Sequence, residues 1–126
     1  MQDGILSALP EADILLSVVW TPMLPDDSRD AAVRASAMFD DARMRQYYDP
    51  ERLAGRAVAA SLGGDDHVAW DIYLFYAPGR RWDAAQSQPV AWAHQLGTQA
   101  WADASRYQTG AALVEALRRE TARQIA

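Results

Sequence analysis

Hydrophobic and polar positions alternate along the chain in patterns that predict four strands. Residues 14–20 are apolar apart from Ser17, which is typical of a central strand covered on both faces by helices. Residues 43–48 alternate polar with larger apolar side chains and predict an edge strand, whose arginines discourage pairing with another chain. Residues 68–76 predict a third strand, and 90–95 predict its antiparallel partner beyond a Pro-Gly turn.

Three segments have the apolar spacing and the end signals of helices. The first, about 28–39, follows capping candidates at 26–28; the residues expected to face the sheet are Val33, Ala37 and Met38 or Phe39. Asp49 and Pro50 predict the start of a second helix, and Gly63-Gly64 predicts its end; its apolar stripe comprises Leu53, Ala57 or Val58, and Leu62. The third helix covers 109–124, and residues 1–13 form an N-terminal arm before the first strand.

Composition and charge limit the class of protein. The 126 residues suit one domain, and the formal charge is −5 with no lysine among the twelve basic residues, so nucleic acid is a poor partner. The longest apolar run has seven residues, against roughly 20 for a membrane span. The first residues, Met-Gln-Asp-Gly, lack a signal peptide's basic start. We therefore expect a cytoplasmic protein, with a leader removed from a longer chain as the open alternative.

The order of elements resembles that of the thioredoxin-like superfamily without its first strand. The resemblance covers about 14–124 and depends on the Val-Val-Trp strand end, the proline turn into a helix, the short strand closed by Tyr48-Asp49, and the apolar strand that ends at Pro78-Gly79. It implies a three-layer α/β fold with a four-stranded mixed sheet flanked by helices. In such a sheet the first and third strands pair antiparallel, which would place Trp70 and Asp71 beside Thr21 and Pro22.

The same resemblance carries no redox chemistry over to this chain. Trp20-Thr21-Pro22-Met23 occupies the place of the family's Trp-Cys-x-x-Cys, and the chain contains no cysteine. The position of the family's cis-proline falls near Ala69 or Trp70. Because dithiol exchange needs a thiolate, the resemblance is architectural only. Loss of the cysteines during evolution and their removal by design are both open.

Asp71 and His94 are the candidates for catalysis. A histidine beside a carboxylate is the usual proton-transfer unit, and Asp71 interrupts an otherwise apolar strand, where a carboxylate needs a partner. The alternatives are a buried bridge from Asp71 to Arg43 or Arg45 and a half-buried structural role for His94. Asp49 is a further candidate for the same unit, although its position before a proline favours a helix cap.

The five tryptophans and the proline turn indicate a binding surface. Trp20 ends a strand and Trp82 lies in a loop, positions where large aromatic residues often anchor contacts. Trp70 belongs to the same surface if the resemblance holds, although its strand alternation, like that of Trp92, also fits a core position. The expected binding residues are Trp20, Thr21, Pro22, Met23, Trp70 and Trp82.

Two classes of function follow. The first is a redox-inactive binding module whose partner is a protein, a second copy of the chain or a small molecule. The second is a small non-redox enzyme that uses Asp71 and His94 for acid–base chemistry. Neither needs a cofactor or a metal, because the one metal-capable run, at 65–67, consists of adjacent loop residues, which rarely form a site unaided.

Overall fold

The computed structural model describes residues 9–11, 13–24, 26–78, 88–96 and 101–125. Its elements follow the order strand, helix, strand, helix, strand, strand, helix, as the sequence predicts. Their bounds are β1 Leu16–Trp20, α1 Arg29–Ser36, β2 Met44–Tyr48, α2 Leu53–Ser61, β3 Ile72–Phe75, β4 Ala91–His94 and α3 Gly110–Ile125, with a short 3₁₀ turn at Ala104–Arg106 before α3.

The first half of the chain forms a parallel two-stranded sheet with α1. β1 pairs with β2 in a register that sets Leu16 against Met44 and Trp20 against Tyr48. Gln46 joins this sheet to α1, because its Nε2 donates to the carbonyl of Ser36 at 3.2 Å. The Ser28 hydroxyl caps α1 by accepting the N–H of Ala31, which confirms one of the three predicted caps.

The second half forms an antiparallel sheet between two helices. β3 pairs with β4 so that Ile72 faces His94 and Phe75 faces Ala91. Even-numbered side chains of β3 pack with α2 and odd-numbered ones with α3, as the strand alternation predicts. The α2 side contains Val58, Ala59, Leu62, Ala69, Ile72, Leu74 and Trp101, and the α3 side contains Leu113, Leu117, Tyr73, Phe75 and Ala93.

The predicted four-stranded mixed sheet is wrong, because the described strands form two separate two-stranded sheets. The expected partner of β1 is shortened at its start. Asp71 has a φ of 48°, outside the extended region that a strand requires. The residues before it are bound to α2 instead, since the N–H of Ala69 donates to the carbonyl of Gly55 at 2.9 Å. In the described ranges Trp70 and Asp71 therefore have no ladder with β1.

Helix boundaries and faces also differ from the predictions in three places. α2 begins at Leu53 rather than Pro50, after a residue in the left-handed region, Arg52. Val33 and Ala37 were expected to face the sheet, but Val33 is 61% exposed and Ala37 is exposed as well. Of the alternatives Met38 and Phe39, Met38 is 78% exposed and the Phe39 ring contacts Trp20. Within the described part of the chain, no helix is long and apolar enough to cross a membrane.

Candidate functional site

The turn that follows β1 is held by hydrogen bonds to Asp27 and Asp49. The Asp27 carboxylate accepts the N–H groups of Met23 and Leu24 at 2.9 and 2.7 Å. These two bonds lower the pKa of Asp27 because they stabilise its ionised form, and the bond from Leu24 has the larger effect. The carbonyl of Trp20 accepts the N–H of Asp49 at 2.9 Å, which ties the end of β1 to the end of β2. Residues 20–24 therefore have a fixed backbone conformation.

Asp49 and Arg52 fix the opposite side of the same turn. The Asp49 carboxylate accepts the N–H groups of Leu53 and Ala54 at 2.9 Å each, so the predicted capping role is confirmed although the helix begins later. Arg52 reaches across to the first turn, where its Nε donates to the carbonyl of Pro22 at 2.9 Å. Its backbone has φ 59° and ψ 32°, a conformation that costs a residue other than glycine about 1 kcal/mol.

Apolar side chains project from this fixed framework into solvent. Leu24 is 57% exposed and Leu53 is 62% exposed, and Pro22 and Met23, which directly precede Leu24, are half-buried. We call this end of the first sheet the strand-end surface, defined by Pro22, Met23, Leu24, Arg52 and Leu53. Large apolar side chains held on a rigid turn are typical of contact sites, because little conformational entropy is lost when a partner binds.

The other predicted binding residues that the structure describes are half-buried. Thr21 lies at the start of the turn. The indole N–H of Trp20 donates to Gln46 Oε1 at 3.0 Å, and its ring contacts Phe39. Trp70 is half-buried just before β3. Trp82 lies outside the described residues.

Asp71 lies beside Tyr73 and Gln95 rather than beside His94. The carbonyl of Asp71 accepts the N–H of Gln95 at 2.8 Å, and Gln95 Nε2 donates to the Tyr73 hydroxyl at 3.3 Å. Asp71 is exposed as a whole residue, but partial burial of its carboxyl group disfavours the charged form and raises the pKa of Asp71. Burial, and then the nearby Asp71 charge, raise the pKa of Tyr73. Neither Arg43 nor Arg45 forms an ion pair with Asp71 in the described ranges.

His94 occupies the interior with both ring nitrogens engaged. Its side chain is fully buried, Nδ1 accepts the N–H of Leu96 at 3.0 Å and Nε2 lies 2.8 Å from the carbonyl of Asp103. Because a backbone N–H can only donate, Nδ1 carries no proton, and Nε2 therefore donates to the carbonyl. The rings of Trp92 and Tyr107 flank it. No contact joins His94 to Asp71, so the expected acid–base pair does not form in this structure.

Four residues of these sites were not predicted from the sequence: Leu24, Arg52, Tyr73 and Gln95. Arg52 carried a usable signal, because a cation beside the start of a helix opposes the helix dipole. Leu24 lies between two prolines and adjacent to no predicted element, a position where an apolar side chain is less easily buried. The described residues contain no group of three potential metal ligands.

Comparison with known proteins identifies no relative of this chain. No protein-family model matches it, and no match was found among the curated proteins or the solved structures. The thioredoxin-like resemblance therefore receives no support from these comparisons, and the site has to be interpreted from its own geometry.

Proposed function

We propose that this chain is a binding module that docks a protein partner on the strand-end surface. The observation that carries the proposal is the exposure of Leu24 and Leu53 on a backbone held by the carboxylates of Asp27 and Asp49. A partner that covers these two side chains removes apolar area from water at little entropic cost. The chain has no cysteine, so no thiol of its own is involved.

A pair of matched variants tests the proposal. Leu24→Ser with Leu53→Ser removes the apolar contact, while Val33→Ser with Met38→Ser removes two comparably exposed apolar side chains from α1 and the turn that follows it. Proteins captured by the wild-type chain are identified, and the affinity of each purified partner for all three chains is then measured by calorimetry. Sedimentation equilibrium of the same chains tests a second copy as the partner.

We expect the strand-end variant to lose binding and the α1 variant to retain it. Full burial of an exposed leucine contributes about 1.5–3 kcal/mol of transfer free energy, and Leu24 and Leu53 are 57% and 62% exposed. Covering both therefore contributes about 2–3.5 kcal/mol, so loss of both weakens binding by about 30- to 400-fold. Equal affinities of the two folded variants for every partner would exclude the strand-end surface as the docking site.

A second candidate, proton transfer on a small substrate, is favoured by one observation. Asp71 and Tyr73 are neighbours, and the pKa values of both are raised, a combination that is common in active sites. This candidate uses Asp71 with Tyr73 rather than with His94, because both ring nitrogens of His94 are hydrogen-bonded to the backbone. NMR titration of the Asp71 carboxyl in wild-type and Tyr73→Phe chains tests it. If Asp71 titrates as an exposed model carboxyl in both chains, this candidate fails.

A further inference from the structure

The guanidinium of Arg52 is held in place without a carboxylate partner. Its Nε is bonded to the Pro22 carbonyl, and this is the contact that fixes the side chain. In the ranges that the structure describes, no Asp or Glu lies within ion-pairing distance of it. The Asp49 carboxylate, three residues away, is occupied by two backbone N–H groups. The terminal nitrogens of Arg52 thus keep their hydrogen-bonding capacity.

The position of Arg52 works against the stability of α2. It directly precedes the helix, where the dipole favours negative rather than positive charge. It also adopts a left-handed backbone conformation that glycine would occupy without strain. An arginine kept at such a place, with its side chain anchored, has the properties of a recognition residue, because strained positions cluster at binding sites.

From these observations we infer that Arg52 binds a carboxylate of the docked partner while the flanking apolar side chains bind an adjacent aliphatic group. A guanidinium presents parallel N–H donors that match the two oxygens of a carboxylate. Leu53 follows directly along the chain and is exposed, so an acidic group with a neighbouring aliphatic side chain fits both features. The inference rests on the proposed function and specifies the chemistry of its partner as an acidic peptide segment.

Two small probes of the same shape test this recognition. N-acetyl-leucine carries a carboxylate, and N-acetyl-leucinamide replaces it with a neutral amide. NMR follows the Arg52 Nε–H signal and the backbone amides of 22–24 and 53 as each probe is added. We expect saturable shifts with the carboxylate probe and an affinity about tenfold lower for the amide, because a charge-assisted bond is lost.

Arg52→Gly removes the guanidinium and also relieves the left-handed backbone, so the variant is expected to fold. Arg119→Ala is the control, since it removes an exposed arginine from α3. The inference requires that Arg52→Gly abolish the preference for the carboxylate probe and that Arg119→Ala keep it. Equal affinity of the wild-type chain for both probes, or no binding of either, overturns it.

Failure of this inference is distinguishable from failure of the proposed function. If the serine variants of Leu24 and Leu53 lose a partner whose affinity is unchanged by Arg52→Gly, the surface docks by apolar contact and the carboxylate inference is wrong. If the serine variants retain every partner, the docking surface itself is wrong.

Discussion

Replacement of His94 by leucine should be among the most destabilising single changes in this protein. The histidine is fully buried and satisfies two backbone groups, the N–H of Leu96 and the carbonyl of Asp103. Leucine is close in size but bonds to neither. The Leu96 N–H would have no partner, at a cost of about 1–3 kcal/mol, whereas the Asp103 carbonyl keeps the N–H of Arg106 and loses one bond worth about 0.5–1.5 kcal/mol. We therefore expect a loss of about 1.5–4.5 kcal/mol in the free energy of unfolding, a large part of the ~5–15 kcal/mol typical of a domain.

Replacement of His94 by asparagine separates the two bonds. The asparagine Oδ1 can take the place of Nδ1 and accept the Leu96 N–H, whereas its shorter side chain cannot reach Asp103. Urea unfolding followed by tryptophan fluorescence and far-ultraviolet circular dichroism measures both variants. We expect the asparagine variant to lose less than half as much as the leucine variant, because it leaves the Leu96 N–H bonded. A loss below about 0.5 kcal/mol in the leucine variant would refute the structural role assigned to His94.

Three further changes test other parts of the structure. A Cβ at Gly64 would lie 2.5 Å from the Trp101 ring, so Gly64→Ala should lower the free energy of unfolding by about 1–3 kcal/mol in urea titrations; no loss would show that the contact relaxes freely. Asp49→Ala should cost about 0.5–2 kcal/mol through loss of the α2 cap, and Asp49→Asn should recover part of it. The Arg43 side chain lowers the pKa of Asp41 to about 2, so thermal stability should fall between pH 4 and pH 2 as Asp41 is protonated, and Asp41→Asn should reduce that fall.

The direction of the Asp41 effect follows from linkage. Its carboxyl binds a proton less readily in the folded chain than in the unfolded chain, since Arg43 bonds to the ionised form at 2.7 Å. The contribution to stability is therefore complete above the ordinary aspartate pKa and is lost as the pH falls toward about 2. A stability profile that is identical for wild-type and Asp41→Asn chains in this range would contradict the assignment.

Local features of the fold could be predicted from the sequence because local chemistry determines them. The order of elements, the Ser28 cap and the alternating faces of β3 follow from side-chain type and spacing. The division of the four strands into two sheets could not be predicted in this way, because strand pairing depends on contacts between residues distant in sequence. Ala69 and Asp71 would have extended β3 at its start. The N–H of Ala69 is bonded to Gly55 instead, and Asp71 has a left-handed backbone conformation.

The proposed site overlaps the predicted one in position and differs from it in composition. The proline turn after β1 was expected to bind, and it lies on the strand-end surface. Trp20 was expected to bind there as well; it is half-buried, with its indole N–H bonded to Gln46. Leu53 was assigned to the apolar stripe of α2, yet it is 62% exposed, because Gly55, Val58 and Ala59 form the buried face of this helix. Successive residues of an α-helix are about 100° apart around its axis, so Leu53 lies on the side opposite to Gly55.

Site-specific photocrosslinking tests the central claim most directly. A photoreactive amino acid replaces Leu24 in one chain and Val33 in another, two positions of comparable exposure on different surfaces. Both chains are irradiated in cells and their crosslinked products are compared by mass spectrometry. If a protein docks on the strand-end surface, we expect a discrete protein adduct, or a crosslinked dimer, at position 24 and none at position 33. Discrete adducts at position 33 with none at position 24 would contradict it.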